Sequence, residues 1–275
     1  MTESGLPKRQ QITAPLLRRE SMGDSYHVLS FDSPTSIEAL PGQFVMVRGA
    51  QWGDAPLLPR PMSYLSAGRT PSILIKVVGD GTRRMARAEP GEPFSLLGPL
   101  GVPWRTPSPT RRPILVAGGV GVAPLLYLAR SLSERGVKPI AIYGGRSAKD
   151  LPLHDDLGEL SDLRITTEDG SRGQKGRVTD VLEALLGSDV EVFTCGPDRM
   201  MARVAEICAA RDVPCEASLE TPMACGYGVC LGCPVPTTDG GYLYACTHGP
   251  CVDSRRIDWT RADHAPKRKQ DGGTQ

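Results

Sequence analysis

Ile114-Leu-Val-Ala-Gly-Gly-Val-Gly-Val-Ala-Pro124 runs from four apolar residues straight into a glycine-dense turn. The pattern predicts a short buried strand, a turn, and a helix over Leu125–Arg135. Pro124 suits the first helical turn, where an N–H is not needed. Glycines between a strand and a helix let a diphosphate approach backbone N–H groups at the helix N-terminus. The Rossmann pattern G-x-G-x-x-G is not met, because Pro124 stands in place of the third glycine. Alone, the stretch is compatible with a dinucleotide loop or with a tight turn.

On its C-terminal side strands and helices alternate. Strands are predicted at Pro139–Tyr143, Leu163–Thr167, Val190–Thr194 and Val213–Ser218, and helices at Val178–Leu186 and Asp198–Arg211. This is the pattern of a parallel, doubly wound α/β sheet. Thr194-Cys-Gly-Pro197 ends one strand and starts a helix, which puts a second glycine loop at the carboxyl edge where such sheets bind ligands. A simple helix-start turn fits those residues equally well. On the N-terminal side, runs of β-formers at Ser25–Phe31, Gln43–Arg48, Ser72–Val78 and Pro93–Leu97 lie between Gly/Pro turns and predict a small antiparallel barrel. Pro107–Pro113 reads as the linker between the two halves.

The chain has 275 residues, a length for about two domains. Lys and Arg number 32 against 31 Asp and Glu, which excludes a globally basic nucleic-acid binder and an acidic solvating tail. Aromatic residues are 5%, so the core is expected to be aliphatic. The N-terminus lacks the apolar centre of a signal peptide. The longest apolar stretch, Ile114–Ala129, contains three glycines and a proline and is shorter than the ~20 residues of a membrane helix. A cytoplasmic protein is expected.

All eight cysteines follow position 194. A disulfide scaffold spreads its cysteines through a short secreted chain; clustering in the last third points to metal or redox work. Four read Cys225-x4-Cys230-x2-Cys233-x12-Cys246, and the first three match the spacing of plant-type [2Fe–2S] ligation. Two irons need four thiolates, two each, so one loop can supply three and another segment the fourth. Gly226, Gly228 and Gly232 are expected to curl the loop and aim amides at the sulfurs. A four-cysteine zinc knuckle is the alternative, although zinc ribbons usually carry C-x2-C on both sides. Cys251 competes with Cys246 as fourth ligand. Cys208 and Cys215 read as buried, inert thiols. The histidines at 27, 154, 248 and 264 form no ligand pair.

In the barrel half, Arg60-Pro-Met-Ser63 offers a guanidinium fork for phosphate and a hydroxyl for a flavin or ribitol edge. Gly79-Asp-Gly-Thr82 ends a strand and reads as a diphosphate turn or a plain hairpin turn. Arg146 and Lys149 stand where a 2′-phosphate would be met, or are solvated loop charges.

RPMS, GDGT, AGGVGVAP and TCGP, in that order, resemble the ferredoxin–NADP reductase superfamily, and MACGYGVCLGC with its distant cysteine narrows the likeness to the electron-transfer subunits of type B dihydroorotate dehydrogenases. The resemblance spans roughly 8–260. It implies a multidomain α+β chain: an FAD-binding antiparallel β-barrel (8–106), a doubly wound NAD-binding α/β domain (107–218), a small [2Fe–2S] module (219–260) and a disordered tail (261–275). It assigns FAD to Arg60, Pro61, Met62, Ser63, Leu74, Ile75, Lys76, Gly81 and Thr82, and the nicotinamide nucleotide to Gly118, Gly119, Gly121, Cys195, Gly196 and Pro197. Cys195 lies near the nicotinamide on this reading without being catalytic. The cluster ligands are Cys225, Cys230, Cys233 and Cys246; the fourth is chosen because the family segment ends Cys-x-x-Gly-Pro, here Cys246 to Pro250, leaving Cys251 outside and open to a redox-sensitive role.

Departures are Met62, where much of the superfamily has Tyr, and Lys76, where the family often has Arg. The implied activity is a relay from the FMN of a dihydroorotate dehydrogenase catalytic subunit, in a two-plus-two heterotetramer, through [2Fe–2S] and FAD to NAD⁺. Alternatives are an NAD(P)H reductase serving another redox partner, and a zinc-stabilised binding module. The loop Tyr227–Leu231 is the expected partner contact.

Overall fold

The computed structural model describes residues 5–262. Six strands, β1 (Gln10–Ser21), β2 (Tyr26–Phe31), β3 (Phe44–Gly49), β4 (Arg60–Ser66), β5 (Ser72–Lys76) and, after helix α1 (Asp80–Met85), β6 (Pro93–Leu100), close an antiparallel barrel in the order β1-β2-β5-β4-β3-β6. Alternate residues point inward and fill it: Leu29 and Phe31, Val45 and Val47, Ile73 and Ile75, Phe94 and Leu96. Phe31 and Phe94 meet edge to face at 5.4 Å. Closure depends on β1, whose Gln10–Pro15 segment pairs with Pro93–Gly98 of β6. No strand is expected there from sequence. One of its faces is solvated, so its alternation is diluted by Gln, Arg and Glu. The expected turn at Gly79–Thr82 instead starts α1, which runs on to Met85.

The linker leads into β7 (Arg112–Gly118), α2 (Val122–Glu134), β8 (Ile140–Gly145), α3 (His154–Leu160), β9 (Asp162–Thr167), β10 (Gln174–Lys175), α4 (Val178–Leu185), β11 (Val190–Cys195), α5 (Asp198–Ala210) and β12 (Cys215–Ser218). Ile114, Leu115 and Val116 of β7 are fully buried, as a central parallel strand covered on both faces requires. The chain then forms a hairpin of β13 (Pro234–Pro236) and β14 (Tyr242–Tyr244), the turn α6 (Ala245–His248) and β15 (Cys251–Asp253). The large sheet runs β10-β9-β8-β7-β11-β12-β15, parallel up to β12. Strand β15 joins antiparallel. The cysteine-bearing segment thus completes the edge of the α/β sheet.

Of the expected tail, 263–275 lie outside the described residues, while the Arg261 guanidinium sits over the Tyr242 ring at 5.6 Å. Among the described residues no helix is long and apolar enough to cross a membrane.

Barrel and sheet are joined by packing and polar contacts. Tyr127 on α2 donates to the Ala39 carbonyl at 2.6 Å, and Arg130 to the Leu65 carbonyl at 2.9 Å. Beside the linker lies a charged knot. Glu191 of β11 is 0% exposed, meets Arg105 at 2.5 Å and accepts from the Ser108 N–H at 2.6 Å. Glu216 of β12 accepts from the Arg105 N–H at 3.0 Å. Burial, aided by Asp253 and Glu191, raises the Glu216 carboxyl from its ordinary 4.5 to about 7, against the opposing pull of Arg105.

A carboxyl raised on folding binds more protons in the native than in the unfolded chain between pH 4.5 and 7. Stability contributed by Glu216 therefore falls as pH rises through that window, by about 3 kcal/mol. Chemical unfolding across the window is expected to show this slope, and Glu216→Gln to flatten it. An unchanged slope in the variant would refute the assignment.

Candidate functional site

A cleft of about 640 Å³ opens between the barrel wall and the carboxyl edge of the sheet. It brings together Pro61, Met62 and Ser63 of β4, Leu74 and Lys76 of β5, Thr82 of α1, Gly118 and Gly119 after β7, and Gly196 and Pro197 after β11. The two glycine loops meet backbone to backbone. A Cβ built on Gly196, whose φ is +156°, would lie 3.0 Å from the Gly118 Cα. A Cβ on Gly118 would lie 2.7 Å from the Met200 sulfur. Only glycine lets these strand ends approach so closely.

Five candidate residues lie off the lining. Ile75 points into the barrel core, because strand alternation sends Leu74 and Lys76 the other way. Gly121 packs under the Cys195 carbonyl, where a Cβ would collide with backbone, so it seats α2 on the sheet. Cys195 is buried, and desolvation pushes its thiol well above the ordinary range. Arg60 lies flat over Gly81, whose Cβ would come within 2.6 Å of the Arg60 Nε, and its guanidinium also donates to the Leu58 carbonyl.

Thr82 shapes its own turn: Oγ1 accepts from the N–H of Val78 at 3.0 Å and of Gly79 at 3.2 Å, and donates to the Gly79 carbonyl. Sequence reasoning missed Phe44, Leu219–Met223 and Pro250, which also line the cleft. The segment after β12 was findable, since it leaves another carboxyl strand end. Phe44 and Pro250 carry no local signal.

Lys76 is the one cation and Glu220 the one carboxylate on this lining among the described residues. The Lys76 ammonium is 3.3 Å from Asp150 and 4.9 Å from the Tyr26 ring, and Tyr26 donates to Asp150 at 3.2 Å. Burial works against the Lys76 charge, but Tyr26 and Asp150 outweigh it and hold the pKa above its usual value. Lys149 sits 3.9 Å from Asp24, and Arg146 is exposed at the end of β8.

The cysteine loop rests on the barrel. Gly226 (φ +80°) lies against Met46, where a Cβ would fall 2.5 Å from Cγ; Gly228 (φ +92°) lies against Thr247. Gly232 needs no left-handed backbone, contrary to expectation; its N–H donates to the Cys230 sulfur at 3.4 Å. Leu231 takes φ 55° instead.

None of the eight cysteines forms a disulfide. The four candidates fall into two pairs. The Cys233 and Cys246 sulfurs are 3.3 Å apart. The Cys225 sulfur shares a side-chain hydrogen bond with Cys230 and accepts from the N–H groups of Tyr227 at 3.5 Å and Cys230 at 3.4 Å. Burial opposes ionisation of Cys225, but these donors draw its thiol down to about 6. Among the described residues no three Cys, His, Asp or Glu side chains converge on a single ion-sized point. Two thiol pairs with amide donors fit a two-iron cluster, which takes two thiolates per iron, better than one tetrahedral ion.

Cys251 is buried two strands from Cys195, with Ser218 between them in register, and its thiol too is raised well above the ordinary range by desolvation. That environment disfavours the thiolate on which cysteine reactivity depends.

Gly226→Ala carries ~1–2 kcal/mol of left-handed strain plus the Met46 clash, so it is expected to lose most of its iron. Gly232→Ala should retain it. Iron and sulfide assays on both variants check this, and equal iron in the two would contradict it.

Residues 220–258 match the family described as the iron–sulfur cluster binding domain of dihydroorotate dehydrogenase B, and 115–206 match the oxidoreductase NAD-binding domain. The dihydroorotate dehydrogenase B (NAD(+)) electron transfer subunit of Geobacillus kaustophilus is 38% identical over 76% of this chain and 83% of its own. That of Desulforamulus reducens is 33% identical over 85% and 92%. Among solved structures, an NADH-dependent reduced ferredoxin-NADP oxidoreductase aligns with TM-score 0.80 and 27% identity, covering 95% of this chain and 93% of its own. A Neisseria gonorrhoeae ferredoxin NADP⁺ reductase shares the fold at TM-score 0.63 and 18% identity over 73% and 91%. These matches displace the zinc-module alternative. With its barrel, its nucleotide-binding sheet and its paired cysteines, the chain belongs to the family of dihydroorotate dehydrogenase B electron transfer subunits.

Proposed function

We propose that this chain passes electrons from the FMN of a dihydroorotate dehydrogenase catalytic subunit to NAD⁺, with FAD in the cleft and [2Fe–2S] on Cys225, Cys230, Cys233 and Cys246. The observation that carries this reading is the two-by-two pairing of those thiols on a loop seated against Met46. Met46 is two residues from Phe44, which lines the cleft. When bound, the cluster supplies one-electron transfer and FAD couples it to hydride exchange with NAD⁺. The residues of this chain hold and orient. Amides of Tyr227, Cys230 and Gly232 stabilise negative charge on the sulfurs.

Met62 and Ser63 present the barrel side of the cleft to a flavin, and Lys76 offers a cation to a diphosphate. Gly118, Gly119 and Gly196 line the cleft and offer it main chain for the nicotinamide nucleotide. No proton-transfer residue is required. The breadth of the likeness to the ferredoxin-NADP oxidoreductase, 95% of this chain, favours a different redox partner as second reading. Dihydroorotate-dependent NADH formation on adding the catalytic subunit separates the two.

Tyr227, Val229 and Leu231 are 41%, 72% and 55% exposed beside the exposed Cys230. Apolar side chains standing out around a cluster ligand form the face for the catalytic subunit, in a complex of two copies of each.

Two expectations follow. Cys246→Ser should lose the cluster's spectroscopic signal and at least roughly tenfold of dihydroorotate-driven NAD⁺ reduction, while NADH still bleaches the flavin. Cys251→Ser should keep all three. A cluster retained in Cys246→Ser and lost in Cys251→Ser would transfer the ligand role. Replacing Tyr227, Val229 and Leu231 together by Asp should weaken subunit association at least about tenfold without loss of flavin or iron. Unchanged copurification would remove this face from the interface.

A further inference from the structure

A second cavity, of about 490 Å³, lies at the opposite edge of the large sheet. Its walls come from the linker, the start of β7, the end of α2 and the residues before β8 and β11. All of these lie on the side of the sheet where the parallel strands begin. The length of β7, Arg112–Gly118, separates them from the cofactor edge by roughly 20 Å. The assigned relay makes no use of this place.

Its lining is unusual in charge. Arg111, Arg112, Arg135 and Lys138 face it, against the single carboxylate of Asp189. Arg112 is 3.8 Å from Asp162, and Arg111 donates to the Val190 carbonyl at 3.2 Å. Arg135 and Lys138 have no acidic partner among the described residues. The Leu132 and Ser133 carbonyls at the end of α2 accept from the N–H groups of Arg135, Gly136 and Val137. The rest of the lining is Leu132, Val137 and the prolines at 107, 109 and 113, with Ser108 and Thr110 between the prolines. Those prolines restrict the loop backbone, so ordering it around a ligand costs little further entropy. The loop is also tied to the charged knot between barrel and sheet, through the bond from the Ser108 N–H to Glu191.

Like charges held around a concavity favour an anion, and arginines favour phosphate oxygens. An apolar wall beside them suits a flat ring. The volume falls in the range of small-ligand sites, ~300–1,000 Å³. We propose that this cavity is a second ligand site, separate from the cofactor cleft, that takes a nucleoside diphosphate or triphosphate. The phosphates lie on Arg111, Arg112, Arg135 and Lys138, and the base lies against Leu132, Val137 and the proline loop.

The test is calorimetric titration of the flavin- and cluster-loaded protein, with the cofactor cleft filled by saturating NAD⁺. ADP, inorganic pyrophosphate and adenosine are the probes. ADP is expected to bind once per chain, at least about tenfold more tightly than adenosine and at least about threefold more tightly than pyrophosphate. The double variant Arg135→Glu/Lys138→Glu should weaken ADP at least about tenfold. Both residues are exposed, so the fold should hold, and NADH-dependent flavin reduction should not change.

Absence of ADP binding, or ADP binding that the double variant leaves intact, overturns the site. Adenosine binding as tightly as ADP overturns the phosphate assignment. Pyrophosphate binding as tightly as ADP overturns the nucleotide assignment by showing the apolar wall idle.

Discussion

Gly226 pressed against Met46 is the contact on which the arrangement of this molecule turns. A relay works only if its one-electron carrier is held close to the flavin, and the cysteine loop docks on the barrel whose β4 and β5 line the cleft. The docking is a shared core. Phe44, Met46 and Leu100 from the barrel pack in one cluster with Cys233, Cys246, Val235 and Leu243 from the C-terminal segment, and with Met201 from α5. Burial of these side chains fastens three parts of the chain at once, and apolar burial is the dominant favourable term available for such a junction. Two of the candidate ligands are themselves buried in that core, while Cys230 stays at the surface. The loop can therefore be anchored on its inner side and open to a partner on its outer side.

A second consequence follows from where β15 goes. It adds to the sheet beside β12, which carries Pro250 to the lining of the cleft, and the neighbouring Gly249 carbonyl accepts from the Val102 N–H at 2.6 Å. The segment that carries Cys246 is thus the same segment that brings Pro250 to the cleft. Displacement of one would displace the other.

The charged groups are distributed with the same economy of place. Among the described residues the cleft lining carries a single ammonium, held by Asp150 from across the junction, so that its charge is positioned by both halves of the molecule. The carboxylates Glu191 and Glu216 are buried beside the linker and rely on Arg105. Removing one partner of a buried pair leaves an uncompensated charge, which is far more harmful than losing an exposed pair. The linker is therefore a fixed element.

Much of this was legible in the residues. The strand–turn–helix around Ile114–Pro124, the second glycine loop at 194–197, the barrel runs and the spacing of the cysteines are local patterns, set by side-chain period, by glycine's tolerance of close approach and by the ligand count of a cluster. Those features by themselves determined the fold class, the cofactor chemistry and the family. They did not determine which residues share a surface. Ile75 belongs to the flavin strand by motif, yet strand alternation turns it into the core. Phe44 and Pro250, distant in the chain and unremarkable in type, come to the cleft only because the barrel, sheet and cysteine segment bury a common core. The strand at 10–21 and the edge position of β15 likewise depend on partners that supply their hydrogen bonds from far along the chain. Local period and backbone freedom are written residue by residue; long-range burial and strand pairing exist only once the chain has closed on itself, and they decided the walls of the site.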